Sequence, residues 1–272
     1  MGKFTNKIVL ITGATRGLGA ALSHRFAAEG ATLILMAKRV DGLERLDTEL
    51  EQYGVETTLV PLDLNKVDRL ENLPQALGDK YGRVDVLIGN AAILGNLSPV
   101  THFSPKTFQQ IMDVNVTANW HLMAGLECLL RNSKTPRSIF VTSGVSQLVN
   151  PFWGPYAASK AALEVLVKTY AAEMEKTPLR VNLVDPGVMA TDMFKKAMPG
   201  VDLTQISSPK EMTDVFLYLA GEECRETGQI FKARDFKADP EKTKAASSKP
   251  QKTSKAKAKP RPIPLTNEGA LL

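Results

Sequence analysis

Short apolar runs alternate with amphipathic stretches along most of the chain. Runs at 7–12, 32–37, 55–62, 84–89, 138–142, 179–184 and 229–231 are almost continuously apolar. That is how strands buried on both faces of a parallel sheet read. Between them the polar and apolar positions predict helices over about 18–29, 41–53, 66–80, 104–130, 153–176 and 209–220. Gly30 closes the first helix, and Pro74 interrupts or starts the third. Ser104-Pro105 opens the long fourth one as an N-cap and N1 pair. The stretch 186–208 reads as an excursion with short helical pieces. Regular βα alternation predicts an α/β fold: a doubly wound parallel sheet in three α/β/α layers, a Rossmann-type domain over residues 1–236.

At about residue 237 the pattern stops. Apolar residues thin out, and Lys, Ala, Ser, Thr and Pro take over to residue 272. Such a segment buries too little surface to offset its ordering entropy, so 237–272 is expected to be a disordered tail. Residues 239–272 hold eight Lys and Arg against three acids, which accounts for the whole formal charge of +5. The basicity therefore belongs to the tail. Without interleaved aromatics it predicts at most unspecific, salt-dependent contact with nucleic acid. No run approaches the ~18–20 apolar residues that span a bilayer. Two cysteines and three scattered histidines give neither a disulfide framework nor a metal site. The opening Met1-Gly2-Lys3-Phe4-Thr5-Asn6 lacks a signal-peptide layout, and a cytoplasmic location is the expectation.

The first strand runs into Thr12-Gly13-Ala14-Thr15-Arg16-Gly17-Leu18-Gly19 and then a helix. A glycine turn in that context lets backbone approach a pyrophosphate resting on a helix N-terminus. At the end of the second strand stand Lys38 and Arg39, with no acid before Asp41. With Arg16 they favour a 2′-phosphate, so the expected cofactor is NADP(H). Asp63, beyond the third strand, is placed to accept from an adenine amino group, and Asn90 stands where the fourth strand meets the cofactor; either residue type also suits a plain turn.

Tyr156 and Lys160 are four residues apart on a predicted helix, so they share a face; Ser143 lies thirteen residues upstream. A phenol titrates near ~10, and a neighbouring cation lowers that value. The trio is therefore expected to form a proton-transfer centre in which Lys160 brings the phenol down.

Together these motifs resemble the short-chain dehydrogenase/reductase family over roughly residues 5–232. The matching pieces are Thr12-Gly13-x-x-x-Gly17-x-Gly19, Asp63, Gly89-Asn90-Ala91-Ala92, Asn115, Ser143, Tyr156-x-x-x-Lys160, and Pro186-Gly187 with Thr191. The resemblance implies Asn115, Ser143, Tyr156 and Lys160 as catalytic residues. Tyr156 would be general acid or base, Lys160 would hold the nicotinamide ribose, and Ser143 the substrate oxygen. Asn115 would support a water relaying protons to Lys160. Cofactor contacts would come from Thr12, Gly13, Thr15, Arg16, Gly17, Leu18 and Gly19, from Lys38 and Arg39, and from Asp63 and Leu64. Asn90, Ala91, Ala92, Asn115, Tyr156 and Lys160 would complete the middle, with Pro186, Gly187, Val188 and Thr191 around the nicotinamide. Two departures stand out: Ala92 where the family has glycine, and Lys232–Phe236 in place of a glycine-rich ending that often serves subunit contacts.

The implied function is an NADP(H)-dependent oxidoreductase interconverting a carbonyl and an alcohol. Leu94, Leu148, Trp153 and Met189, beside Ser143, would face the substrate, together with Val145, Phe152, Met193 and Phe194. They are apolar, so a small-to-medium, mostly apolar substrate is expected. The other class considered is a non-catalytic NADP(H)-binding sensor or interaction protein, which predicts a missing catalytic residue; none is missing. A homodimer or homotetramer is expected, with no specific nucleic acid, no membrane and no metal.

Overall fold

The computed structural model describes residues 2–236, so the tail expected at 237–272 lies outside the described residues. Seven strands form one parallel sheet in the order β3-β2-β1-β4-β5-β6-β7. They are β1 Ile8–Thr12, β2 Thr32–Ala37, β3 Thr57–Pro61, β4 Val86–Gly89, β5 Arg137–Val141, β6 Arg180–Asp185 and β7 Ile230–Lys232. The helices are α1 Gly17–Ala28, α2 Val40–Leu50, α3 Leu73–Tyr81, α4 Pro105–Met112, α5 Ala118–Arg131, α6 Gly154–Glu173, α7 Asp192–Ala197 and α8 Asp214–Ala220.

The strands alternate their side chains between two cores. Val9 and Ile11 of β1 enter one with Leu22, Phe26, Leu43 and Phe216, under α1, α2 and α8. Ile8 and Leu10 enter the other with Leu77, Leu122, Leu126 and Leu163, under α3, α5 and α6. Burial on both faces is why these strands lack an alternating polar position. Their order reverses between β1 and β4, and there a crevice opens beyond the carboxyl ends of the strands.

The expected long helix is three pieces. Ser104 caps α4 as foreseen, its hydroxyl accepting from the Thr107 N–H. Residues Asp113–Thr117 then form a π-helical turn before α5 continues. Nothing in the apolar period marks that turn. The expected helix at 66–80 splits likewise into a 3₁₀ turn, Val67–Leu70, and α3 with Pro74 in its first turn.

Candidate active site

A cleft of about 1190 Å³ lies along the carboxyl ends of the strands. Its floor begins at the glycine turn. Gly13 and Gly17 take left-handed backbone, at φ of 64° and 54°. A Cβ on Gly13 would come 3.0 Å from the Ala91 Cα, so only glycine fits this approach. The N-cap of α1 is Arg16, whose side chain makes no capping bond, and the first turn carries no acid. The opening N–H groups of α1 are thus left to an anion.

Two residues expected here serve the frame instead. Thr12 is fully buried and does not line the cleft. Its Oγ1 accepts from the Asn90 and Ala91 N–H groups at 2.9 and 3.0 Å, joining the ends of β1 and β4. Gly19 also stays off the cleft: a Cβ there would lie 2.1 Å from the Gly13 carbonyl oxygen, so its contribution is to let α1 close on the turn. Asn90 does line the cleft, with its amide donating to the Thr12 and Gly13 carbonyls at 2.8 and 3.3 Å. Thr15, Leu18, Leu64, Ala91 and Ala92 line it too.

At the outer end of the cleft stand Arg16, Lys38 and Arg39, with Asp63. Lys38 bridges Asp63 at 2.8 Å, and Arg39 holds Asp41 through two bonds at 3.0 and 2.7 Å. Burial pushes the Asp63 carboxyl up, but Lys38 and the Asn65 N–H hold it low, so it is already engaged, and so are Lys38 and Arg39, two of the three cations expected to read a 2′-phosphate. Arg45 of α2 also reaches this end. The sequence reading missed it, because only the packing of α2 against the crevice brings it there. Neither Arg16 nor Arg45 joins a salt bridge among the described residues.

At the inner end Tyr156 and Lys160 come together on α6. The Lys160 Nζ lies 5.8 Å from the Tyr156 ring centre, and the Trp153 ring meets Tyr156 edge-on at 6.0 Å. Tyr156 is 8% exposed and Lys160 1%. Lys160 donates to the Val141 carbonyl at 2.8 Å. Burial pushes its ammonium down to about 8, against a smaller upward pull from Glu164. The phenol goes the opposite way to the expectation. Burial pushes Tyr156 up to about 12, the Ser143 side chain pulls it down, and the charge of Asp185 adds to the rise. The physical reason is that a phenolate here loses its hydration, while Lys160 is turned to a backbone carbonyl and itself pays a desolvation cost.

Asn115 does not line the cleft. It sits fully buried in the π turn, where its Oδ1 accepts from the Ile93 N–H at 2.8 Å and its Nδ2 donates to the Ile93 carbonyl and Ser159 Oγ, both at 3.0 Å. Its amide locks α6 to the loop after β4, which is a different task from the expected support of a water.

Leu94, Val145, Leu148, Trp153, Met189, Met193 and Phe194 line the inner end with Ser143. Phe152 does not: it is exposed, with a left-handed φ of 76°. Pro186, Gly187, Val188 and Thr191 form the lip, where Gly187 takes a φ of 69° under the Arg234 side chain. Thr191 caps α7, its Oγ1 accepting from the Phe194 N–H at 3.2 Å. Asp185, at the end of β6, was missed; it lines the cleft and accepts from the Gly187 N–H at 2.9 Å. No cluster that would hold a metal ion occurs among the described residues, and none of their helices is long and apolar enough to cross a membrane.

This geometry has known counterparts. The family model for short chain dehydrogenases matches residues 7–202. The chain is 32% identical over 233 residues to the uncharacterized oxidoreductase YciK of Escherichia coli (strain K12), covering 84% of this chain and 92% of that one. It is 31% identical over 239 residues to the 3-oxoacyl-[acyl-carrier-protein] reductase FabG of Thermotoga maritima, covering 84% and 96%. Among solved structures, a short chain dehydrogenase of Shigella flexneri 2a complexed with NADP superposes with a TM-score of 0.81 at 31% identity, covering 85% of this chain and 98% of that one. One of Escherichia coli CFT073 complexed with NADPH gives 0.81 at 32%, with the same coverage.

Proposed function

We propose that this chain, which belongs to the short-chain dehydrogenase family, interconverts a carbonyl and an alcohol with NADP(H), using Tyr156 as the proton carrier. The observation that carries the reading is one cleft joining an uncapped glycine turn and two arginines without salt bridges among the described residues at one end to a buried Tyr156–Lys160 pair at the other. The fit to a dinucleotide rests on the donor set: left-handed glycines, open N–H groups at α1, and Arg16 and Arg45 without salt bridges among the described residues. NADP and NADPH in the two related structures support the same choice.

When bound, the nicotinamide supplies or takes the hydride. Arg16 and Arg45 would hold the 2′-phosphate, while the start of α1 holds the pyrophosphate. In reduction Tyr156 gives its proton to the substrate oxygen, and a phenol at about 12 keeps that proton at every working pH. Ser143 donates to the same oxygen as charge develops there. The Lys160 ammonium stabilises the phenolate left behind, and in oxidation Tyr156 takes the proton back. Leu94, Trp153 and Met189 exclude water around the reacting carbon and favour an apolar substrate of small to medium size. The enzyme would act as a homodimer or homotetramer in the cytoplasm; exposed Trp120 and Val165 on α5 and α6 support an association surface. The tail at 237–272 would be a dispensable appendage, so its deletion should leave folding and NADPH affinity unchanged.

The test is consumption of NADPH and NADH by the purified protein across a carbonyl panel, with Tyr156→Phe alongside. Turnover faster with NADPH and about 10³-fold weaker in the variant is expected. Equal rates with NADH, or an active Tyr156→Phe, would sink the reading.

A further inference from the structure

We propose that Glu164 is a positioning residue for the Tyr156–Lys160 pair: its buried carboxylate binds the hydroxyls on either side of Ser143, one helical turn from Lys160. This rests on the reading of Tyr156 and Lys160 given above. Glu164 follows Lys160 by four residues on α6, on the face that packs against the sheet. It is buried, so its charge acts in a poorly screened surrounding. Thr142 Oγ1 donates to its Oε1 at 2.6 Å, and Ser146 Oγ donates to the same oxygen at 2.5 Å. Both hydroxyls thus converge on a single carboxylate oxygen.

The positions of the two hydroxyls matter. Thr142 follows β5, Ser146 ends the short turn Gly144–Ser146, and Ser143 lies between them. One carboxylate oxygen thereby ties the Ser143 segment to the helix that carries Tyr156 and Lys160. Serine and phenol can converge on one substrate oxygen only if these two elements keep their spacing.

The second effect is electrostatic. Lys160 spends a hydrogen bond on the Val141 carbonyl and makes no salt bridge among the described residues. The groups facing it are few. Its own helix contributes Tyr156 and Glu164, and β5 contributes the uncharged carbonyl of Val141. Asp185, at the end of β6, acts on Tyr156. Glu164 is the negative charge that opposes the desolvation of Lys160. Without it the ammonium would lose its proton at a lower pH.

Glu164→Gln separates the two effects, because the amide oxygen still accepts from both hydroxyls while the charge is gone. The direct readout is the ε-carbon signal of Lys160 in protein labelled with ε-¹³C lysine, identified by its loss in Lys160→Met. The Lys160 midpoint near 8 should fall by roughly one pH unit in Glu164→Gln. The alkaline limb of kcat/KM for carbonyl reduction should move down with it, and Tm should change little. An unmoved midpoint and limb overturn the proposal, since a purely structural glutamate would give that result. Should Glu164→Gln fail to fold, the Glu164 carboxyl carbon of the wild type carries the same information. It should shift as Lys160 titrates and stay still in Lys160→Met; a static signal in the wild type overturns the coupling. Loss of turnover in Tyr156→Phe with an unmoved Lys160 midpoint in Glu164→Gln would condemn the role of Glu164 alone. An active Tyr156→Phe would condemn the reading of the site.

Discussion

At the outer end of the cleft the side chains of Lys38 and Arg39 are 71% and 77% exposed, each already beside an acid. At the inner end Tyr156 and Lys160 are almost wholly covered. The same chemistry, a cation near a partner of opposite or latent negative charge, has different consequences at the two ends. Water and salt screen the outer pairs, so each contributes little and can be exchanged for a ligand's phosphate. Burial governs the inner pair, moving the lysine to about 8 and the phenol to about 12. One end is suited to binding, and the other has its proton affinities set by the protein.

The sharpest break of this contrast is at the inner end. Reduction should hold steady below about pH 7 and fall tenfold per unit above 8, roughly 100-fold by pH 10. The sign follows from Lys160, which is a cation below about 8 and neutral above it, while Tyr156 keeps its proton throughout. A profile flat to pH 10 would show that the burial of Lys160 does not set its charge. Ser143→Ala comes next, with a loss of about 10² in kcat and a smaller change in KM, if the hydroxyl binds developing charge. At the outer end Arg45→Ala should weaken NADPH by about 10-fold, one charge-assisted bond, and leave NADH nearly unchanged. Lys38→Ala should have the smallest effect, within a few-fold, because Asp63 already engages that ammonium. If Lys38→Ala proved the more damaging of the two, the assignment of the outer end would have to be reversed.

Legibility followed the kind of interaction. Continuous apolar runs located all seven strands within a residue or two, because a strand buried on both faces, as all but the edge strand β7 largely are, has no other way to be written. The glycine turn was equally legible, since a left-handed φ at Gly13 and Gly17 and the contact with Ala91 exclude a side chain. Spacing alone put Tyr156 and Lys160 on one face. The π turn at Asp113–Thr117 was not legible; the burial of Asn115 among apolar neighbours was, but not its partners, since its amide is engaged by Ile93 and Ser159. Thr12 was read as a cofactor contact because it stands beside the turn, yet the register of β1 against β4 directs its hydroxyl to Asn90 and Ala91. Arg45 and Asp185 went unread because each becomes relevant only once α2 and β6 are laid against the crevice.

By itself the chain determined its strand and helix order, the glycine approach at the end of β1 and the shared face of the proton-transfer pair. These depend on local period and backbone sterics, which neighbouring residues carry. The tertiary structure decided which cations stay free of partners, which polar groups are spent on the frame, and the direction in which Tyr156 titrates. Those properties depend on burial and on partners tens of residues away, and no local spacing encodes them.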